Sequence, residues 1–393
     1  MKIDDITLKI IPDSRSEKTL EVEMSLEGHK VVASVPSGKS KGSNEAFVLE
    51  PEEALEKFTE IKFNLFTRQF STLEEFDNYL ISLDNTPNKQ NLGGNLILVL
   101  SLGFTKLLAA SQNLEIYQLI AGIIGHKIQK LPLCFYNLIE GGVHAKNSLP
   151  FQEYLLVPQT VSPKFSLELA QKAIKILEGK KYQRYGKVTY GDEGGFTMPS
   201  DNPREGLELL QEVRSGIDTH SKLSLDVAAS VLFKDGKYQI GEKLLDEKEM
   251  LSLYHNFASD FPLLSIEDPF QEDDWQGFED IRRQLGSKVW VVGDDLTTTN
   301  PQRITQAYQK GAVNAVIIKP NQIGSVTETI KAATLAQKYG WKVIVSHRSG
   351  ETMDTFIADL AVGLGADGLK SGCPLQKERL VKYQRLIEIE EML

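Results

Sequence analysis

Apolar and polar residues alternate at the start of the chain. Thr7-Leu8-Lys9-Ile10 and Leu20-Glu21-Val22-Glu23-Met24 flank the turn-forming Pro12-Asp13-Ser14, which predicts two half-buried antiparallel strands, with a third at Val31 to Val35. Beyond Pro51 the period becomes helical over Glu52 to Phe63, Leu73 to Leu83 and the apolar-rich Asn95 to Ala110, with loops such as Asp84-Asn85-Thr86-Pro87 between them. Residues 1–127 therefore read as an α+β unit, a three-stranded meander followed by helices. No low-complexity linker follows, so the boundary with residues 128–393 rests on a change of pattern near Lys127 to Leu131.

In the second part, short apolar runs end in a charged or polar residue and a helical stretch follows. Leu223-Ser224-Leu225 ends in Asp226, Leu263-Leu264-Ser265-Ile266 in Glu267, and Val289-Trp290-Val291-Val292-Gly293 in Asp294. Ala315-Val316-Ile317-Ile318 ends in Lys319, Val343-Ile344-Val345-Ser346 in His347, and the weaker Gly365 to Leu369 in Lys370. These ends lie 41, 27, 25, 28 and 23 positions apart, about one strand-plus-helix unit each. Buried parallel strands read as continuous apolar runs, so the rhythm predicts an α/β fold, a (β/α)8-type barrel. In such barrels the carboxyl ends of the strands carry the active site, and these six side chains would converge there.

Composition narrows the partners. The 393 residues are 41% hydrophobic and 25% charged, with a net charge of −10 spread along the chain. That excludes bulk disorder and argues against nucleic-acid or anionic-membrane binding, leaving a small-molecule partner. Cys134 and Cys373 form no CxxC pair, which suits a reducing compartment. The opening MKIDDITLKI lacks the apolar run of a signal peptide, and the longest apolar stretch, around Leu96 to Phe104, is about half a membrane span. The expectation is a cytoplasmic protein.

Asp226, Glu267 and Asp294 offer hard oxygen ligands of the kind Mg²⁺ takes, with no Cys or His spaced to join them. Any one alone is more often a helix cap or a surface acid; three in phase with the barrel favour a metal. Lys319 and Lys370 end strands on the same face, where a lysine is paired, neutralised or used. Beside Mg²⁺ and a second ammonium, its pKa falls toward that of a general base. His347-Arg348-Ser349 offers a guanidinium and a hydroxyl to a phosphate, although an Arg after a strand is more often a surface ion pair. Glu153 and Glu193 are further acids, the latter in Gly191-Asp192-Glu193-Gly194-Gly195, which a solvated turn explains equally well. Two motifs fail on context. Gly38-Lys39-Ser40 has Ala33 where a P-loop has glycine, and Gly363-Leu364-Gly365-Ala366-Asp367-Gly368 follows a helix and precedes a strand, the reverse of the dinucleotide order.

Ser265-Ile266-Glu267-Asp268-Pro269-Phe270, Gly293-Asp294-Asp295-Leu296-Thr297, Lys319-Pro320-Asn321-Gln322-Ile323-Gly324 and Ser346-His347-Arg348-Ser349-Gly350-Glu351-Thr352 together carry a resemblance to the enolase family over nearly the whole chain. Gly191 to Gly195 and Pro36-Ser37-Gly38 with Ser40 agree in order. The resemblance implies reversible dehydration of 2-phosphoglycerate to phosphoenolpyruvate, in glycolysis and gluconeogenesis, by a Mg²⁺-dependent lyase. It implies that Asp226, Glu267 and Asp294 bind one Mg²⁺, that Ser40 on a closing loop binds a second recruited with substrate, and that the two ions stabilise the enediolate. By the same resemblance Lys319 is the base and Glu193 the acid, a carboxyl kept protonated by its neighbours and helped by Glu153. Lys370 holds the substrate carboxylate, Arg348 and Ser349 grip the phosphate with His347 beside them, Gln152 lines the substrate, and His144 sits on a closing loop.

Departures from the family pattern accompany the matches. Ser16-Glu17-Lys18 replaces Gly-Asn-Pro, Lys39 and Lys41 flank Ser40, Glu140 and Val143 stand for Asn and Ser near His144, and Val231 replaces a Glu that would support the metal. Glu388 occupies the place of an Arg that pairs across a homodimer with an acid matching Glu21, which bears on that interface and on any higher oligomer. Two other readings remain at this stage. A superfamily lyase or racemase for another carboxylate is opposed by Arg348-Ser349 and the lysine pair, and a non-catalytic binding paralogue by the retention of Lys319, Glu193 and all three metal acids.

Overall fold

A computed structural model describes residues 2–39, 42–146 and 149–393. Strands β1 (Asp5–Pro12), β2 (Lys18–Leu26) and β3 (His29–Ser34) form an antiparallel sheet in that order. The register sets Leu8 opposite Val22 and Val22 opposite Ala33, so one face is apolar. Helices α1 (Pro51–Thr67), α2 (Leu73–Asp84), α3 (Gly94–Ser111) and α4 (Ile116–Ile124) follow. α3 crosses the apolar face of the sheet at close range, because at Gly103 a Cβ would come within 2.8 Å of Val22 Cγ1. Phe104 stacks on Phe76 with ring centroids 4.1 Å apart, and Phe70 packs edge-on against Phe76. Among the described residues α3 alone has the length and apolarity to cross a bilayer, and 78% of it is buried inside the protein. The short α4 has no counterpart in the sequence reading.

Eight of the remaining strands close into a barrel: β4 (Leu133–Glu140), β5 (Glu153–Val157), β6 (Lys222–Asp226), β7 (Leu263–Glu267), β8 (Trp290–Gly293), β9 (Ala315–Ile318), β10 (Lys342–Ser346) and β11 (Gly368–Lys370). Gly368 opposite Leu133 completes the closure. β5 runs antiparallel to both neighbours, and the other pairings are parallel. Phe135, Leu155, Val157, Val292, Ala315, Ile317 and Ile344 fill the interior, so the barrel is a packed core. The long interval between Asp226 and Glu267 contains a small antiparallel meander, Phe233–Lys234, Lys237–Ile240 and Lys243–Leu245.

Polar caps dock the first sheet-and-helix unit onto the barrel. Asp77 of α2 accepts the Thr327 N–H (2.8 Å) and Ser101 of α3 the Val326 N–H (3.0 Å), both at the start of helix Val326–Lys338. These orphan donors of a helix end are thereby satisfied from the other unit, with Lys89 and Glu328 paired alongside at 3.1 Å.

Candidate active site

The barrel register brings the acids onto one rim. Glu140 faces Glu153, Glu153 faces Asp226, and Asp226 faces Glu267 across successive pairings. Because β5 is reversed, its first residue rather than its last reaches the rim. Polar residues at strand ends therefore do not mark β5, whereas β4 does end in a charged residue, Glu140, after an apolar run broken by Asn137.

The three expected metal acids are all buried on this rim. Two ammonium groups hold them. Lys370 Nζ lies 2.8 Å from Asp226, 2.8 Å from Glu267 and 3.0 Å from Glu153, while Lys319 Nζ pairs with Asp294. Burial lowers the pKa of each lysine, but the carboxylates in contact more than reverse it: Asp294 for Lys319, and Asp226, Glu153 and Glu267 for Lys370. The expected depressed amine belongs to a site that holds Mg²⁺; the carboxylates by themselves favour the protonated form of both lysines. Asp294 is oriented by Gln322 Nε2 at 2.9 Å and by the backbone of its own loop, since Asp268 accepts the N–H groups of Asp294 (2.9 Å) and Asp295 (2.7 Å). Gln152 Nε2 approaches Asp226 at 3.4 Å.

A second cluster adjoins the first. His144 Nδ1 is 3.4 Å from Glu193 Oε1 and 3.9 Å from Glu153 Oε1, and His347 Nε2 is 3.1 Å from Glu193 Oε2. Burial raises the Glu153 carboxyl well above the ordinary range, with Glu193, Asp226 and Glu267 adding to it against Lys370. At Glu193 burial acts the same way, yet His347, His144 and Arg379 outweigh it and hold the carboxyl well below. The two carboxyls of the cluster are thus pushed in opposite directions, Glu153 up and Glu193 down. Burial lowers His347 to about 4, so its imidazole is neutral.

Arg348 is buried and bidentate to Glu45 (2.8 and 3.1 Å), with Asn321 Oδ1 at 3.2 Å. Gly38 passes so close that a Cβ there would overlap the guanidinium. Ser349 Oγ accepts the Lys39 N–H (2.8 Å) and lies 3.2 Å from Arg15 Nη1. His144, Gln152, Glu153, Glu193, Asp226, Lys319, Arg348, Ser349 and Lys370 line one small pocket. Ser40 and Lys41 lie outside the described residues.

Several residues here gave no sequence signal. Asn137 reaches Glu193 from inside β4, and Arg379 reaches the site from the C-terminal helix Lys377–Met392. Glu45, Asn321 and Gln322 lie in or beside the quoted runs, but nothing local marked them. The departures also take definite places. Glu140 accepts the N–H groups of Glu193 (3.2 Å) and Gly195 (2.5 Å), so it braces the loop that carries Glu193. Lys39 pairs with Asp192 at 2.6 Å, Ser16 adopts a φ of 63° where the family has glycine, and Val231 is exposed on the short helix Ala229–Leu232. Glu21 pairs with Lys9 (2.7 Å) and Glu388 with Arg385 (3.2 Å), so each acid has a cation of its own chain.

A buried rim that gathers lysines, carboxyls, guanidinium groups and imidazoles defines a barrel enzyme for acid–base chemistry on a small anion. Comparison with known proteins makes the class particular. The family described as "Enolase, N-terminal domain" matches residues 3–120 and "Enolase, C-terminal TIM barrel domain" residues 128–393. A protein of Pyrococcus furiosus named Enolase is 40% identical over 412 aligned positions, spanning all of this chain and 95% of its own length. One of Methanocaldococcus jannaschii with the same name is 38% identical over 409, spanning 100% and 96%. The chain belongs to the enolase family, the phosphopyruvate hydratases, which are lyases.

Proposed function

We propose that this chain converts 2-phosphoglycerate reversibly to phosphoenolpyruvate, with Lys319 taking the proton beside the carboxylate and Glu193 protonating the departing hydroxyl. The observation that carries the reading is the joint lining of one enclosed pocket by an amine, a separately tuned carboxyl–imidazole cluster and the Arg348–Ser349 anion grip. Removing a proton beside a carboxylate places a second negative charge next to the first, so the site must be rich in cations. Lys370 lies among three carboxylates and would turn to the substrate carboxylate. Arg348 and Ser349 would hold the phosphate, which competes with Glu45 for the same guanidinium. His144 stands between Glu153 and Glu193, so a proton stored on Glu153 has a short route to Glu193.

The donor set suits Mg²⁺: all three acids are buried, and Glu267 Oε1 has no hydrogen-bond partner. Asp226, Glu267 and Asp294 would hold one ion and Ser40 a second. Mg²⁺ held there would supply positive charge against the charge that develops on the substrate. Lys319, which pairs with Asp294 at the same rim, would take the proton as the free amine. We place the chain in the cytoplasm as a homodimer, with residues 1–127 and 128–393 as its two domains.

The test is absorbance at the phosphoenolpyruvate band after mixing the protein with 2-phosphoglycerate and Mg²⁺. Product that vanishes with EDTA and with Lys319→Ala supports the assignment. Folded wild-type protein giving no product at saturating Mg²⁺ overturns it.

A further inference from the structure

Arg379 is fully buried behind the site, and four of its five N–H donors meet acceptors there. Nη1 points at Arg348 O (2.5 Å) and His347 Nδ1 (3.0 Å), Nη2 at Ser349 O (2.7 Å), and Nε at Gln376 Oε1 (3.2 Å). A guanidinium can only donate, so His347 Nδ1 must accept. The ring proton is then on Nε2, which lies 3.1 Å from Glu193 Oε2 and donates to it. Asn137 Nδ2 donates to the same oxygen at 3.2 Å. Two donors therefore occupy Oε2, while Oε1 faces His144 Nδ1 at 3.4 Å and, among the described residues, receives no donor from the backbone or from His347.

We propose that Arg379 is a positioning residue that locks His347 as its Nε2–H tautomer, which commits Glu193 Oε2 to accepting and leaves Oε1 as the oxygen that carries the transferred proton. The same guanidinium holds the carbonyls of Arg348 and Ser349, so one buried side chain fixes the acid and the anion grip relative to each other. The groups facing His347 agree with a neutral ring. Arg379 comes from the C-terminal helix and Lys370 from the end of β11, and both cations oppose a second proton, while Glu193, from its loop, favours one. Burial adds to the cations. The use made of Oε1 rests on the reading of Glu193 as the acid; the tautomer does not.

The experiment is nitrogen NMR of the full-length protein labelled at histidine, with His347→Gln to assign the signal. Wild-type protein should show a bare Nδ1 and a protonated Nε2 that do not titrate between about pH 5.5 and pH 8. An Nδ1–H tautomer, or a ring that titrates in that range, overturns the proposal without any assay of activity. Arg379→Met, which cannot donate, should release the ring to mixed tautomers and lower kcat about 10- to 100-fold, the scale of a misoriented catalytic group. Arg379→Lys, which restores a donor, should recover the Nε2–H signal and part of kcat. If Arg379→Met does not fold, the wild-type and Lys spectra still decide. A fall in kcat with the His347 signals unchanged means a merely structural role and sinks the proposal. Glu193→Gln, expected to be inactive, tests the acid separately: full activity in that variant would remove the role given to Oε1 while leaving the tautomer lock standing.

Discussion

Lys39 and Asp192 form a strap across the pocket mouth, and its energy can be worked out from their exposure. Lys39 sits beside Ser40 on the segment proposed to close over substrate, and its ammonium reaches the carboxylate preceding Glu193 at 2.6 Å. The side chains are 43% and 31% exposed, so the pair is screened by water and contributes about 0.5–1 kcal/mol. Part of that stabilises the closed segment, so Lys39→Ala should raise KM for 2-phosphoglycerate about 2- to 5-fold and leave kcat nearly unchanged. The Lys39 N–H bond to Ser349 Oγ is backbone-derived and survives the substitution. The assay is initial-rate kinetics of Lys39→Ala, Asp192→Asn and the double variant at low salt and near 1 M salt, where the Debye length is about 3 Å. The wild-type advantage should shrink at high salt, and the double variant should resemble either single one. Strictly additive effects, or a KM change indifferent to salt, would refute the strap.

Asp77, raised by burial to about 6, keeps its proton in the folded state at pH values where the unfolded chain has lost it. Stability should therefore fall as pH rises from about 4 to 6, by about 3 kcal/mol in all, and Asp77→Asn should flatten that slope in urea titrations; an unchanged slope counts against it. Lys370→Ala leaves Asp226, Glu267 and Glu153 buried without their ammonium, at a cost of about 3–5 kcal/mol, and Mg²⁺ should restore more of the Tm than it adds to wild type; equal Mg²⁺ shifts would contradict the charge argument. Phe104→Ala opens a cavity against Phe76 and Phe70 and should lower stability by about 3–5 kcal/mol in denaturant titration. Glu140→Ala removes two acceptors from the Glu193 loop and should lower kcat more than it raises KM; an unchanged kcat would mean the brace is dispensable.

Much of this architecture was legible without coordinates. Alternation over β1 and β2 and the helical period over α1, α2 and α3 mark elements whose one face must be buried, and burial is what writes a period into sequence. The strand-end residues Asp226, Glu267, Asp294, Lys319, His347 and Lys370 announced the rim because parallel strands present their carboxyl ends to one side. Tertiary structure decided what depends on direction and distance in space. β5 runs backwards, so Glu153 reached the rim from the wrong end of its strand. Asn137 and Arg379 lie far in sequence from Glu193 and His347, and no local spacing encodes a contact made only when the barrel closes. Charge states were decided there too, since a lysine's pKa depends on which carboxylates touch it: Lys319 and Lys370 are raised because Asp294, Asp226, Glu153 and Glu267 fold against them. Residue types at strand ends identify the chemistry available to this chain, and only the packed fold determines which atom holds the proton.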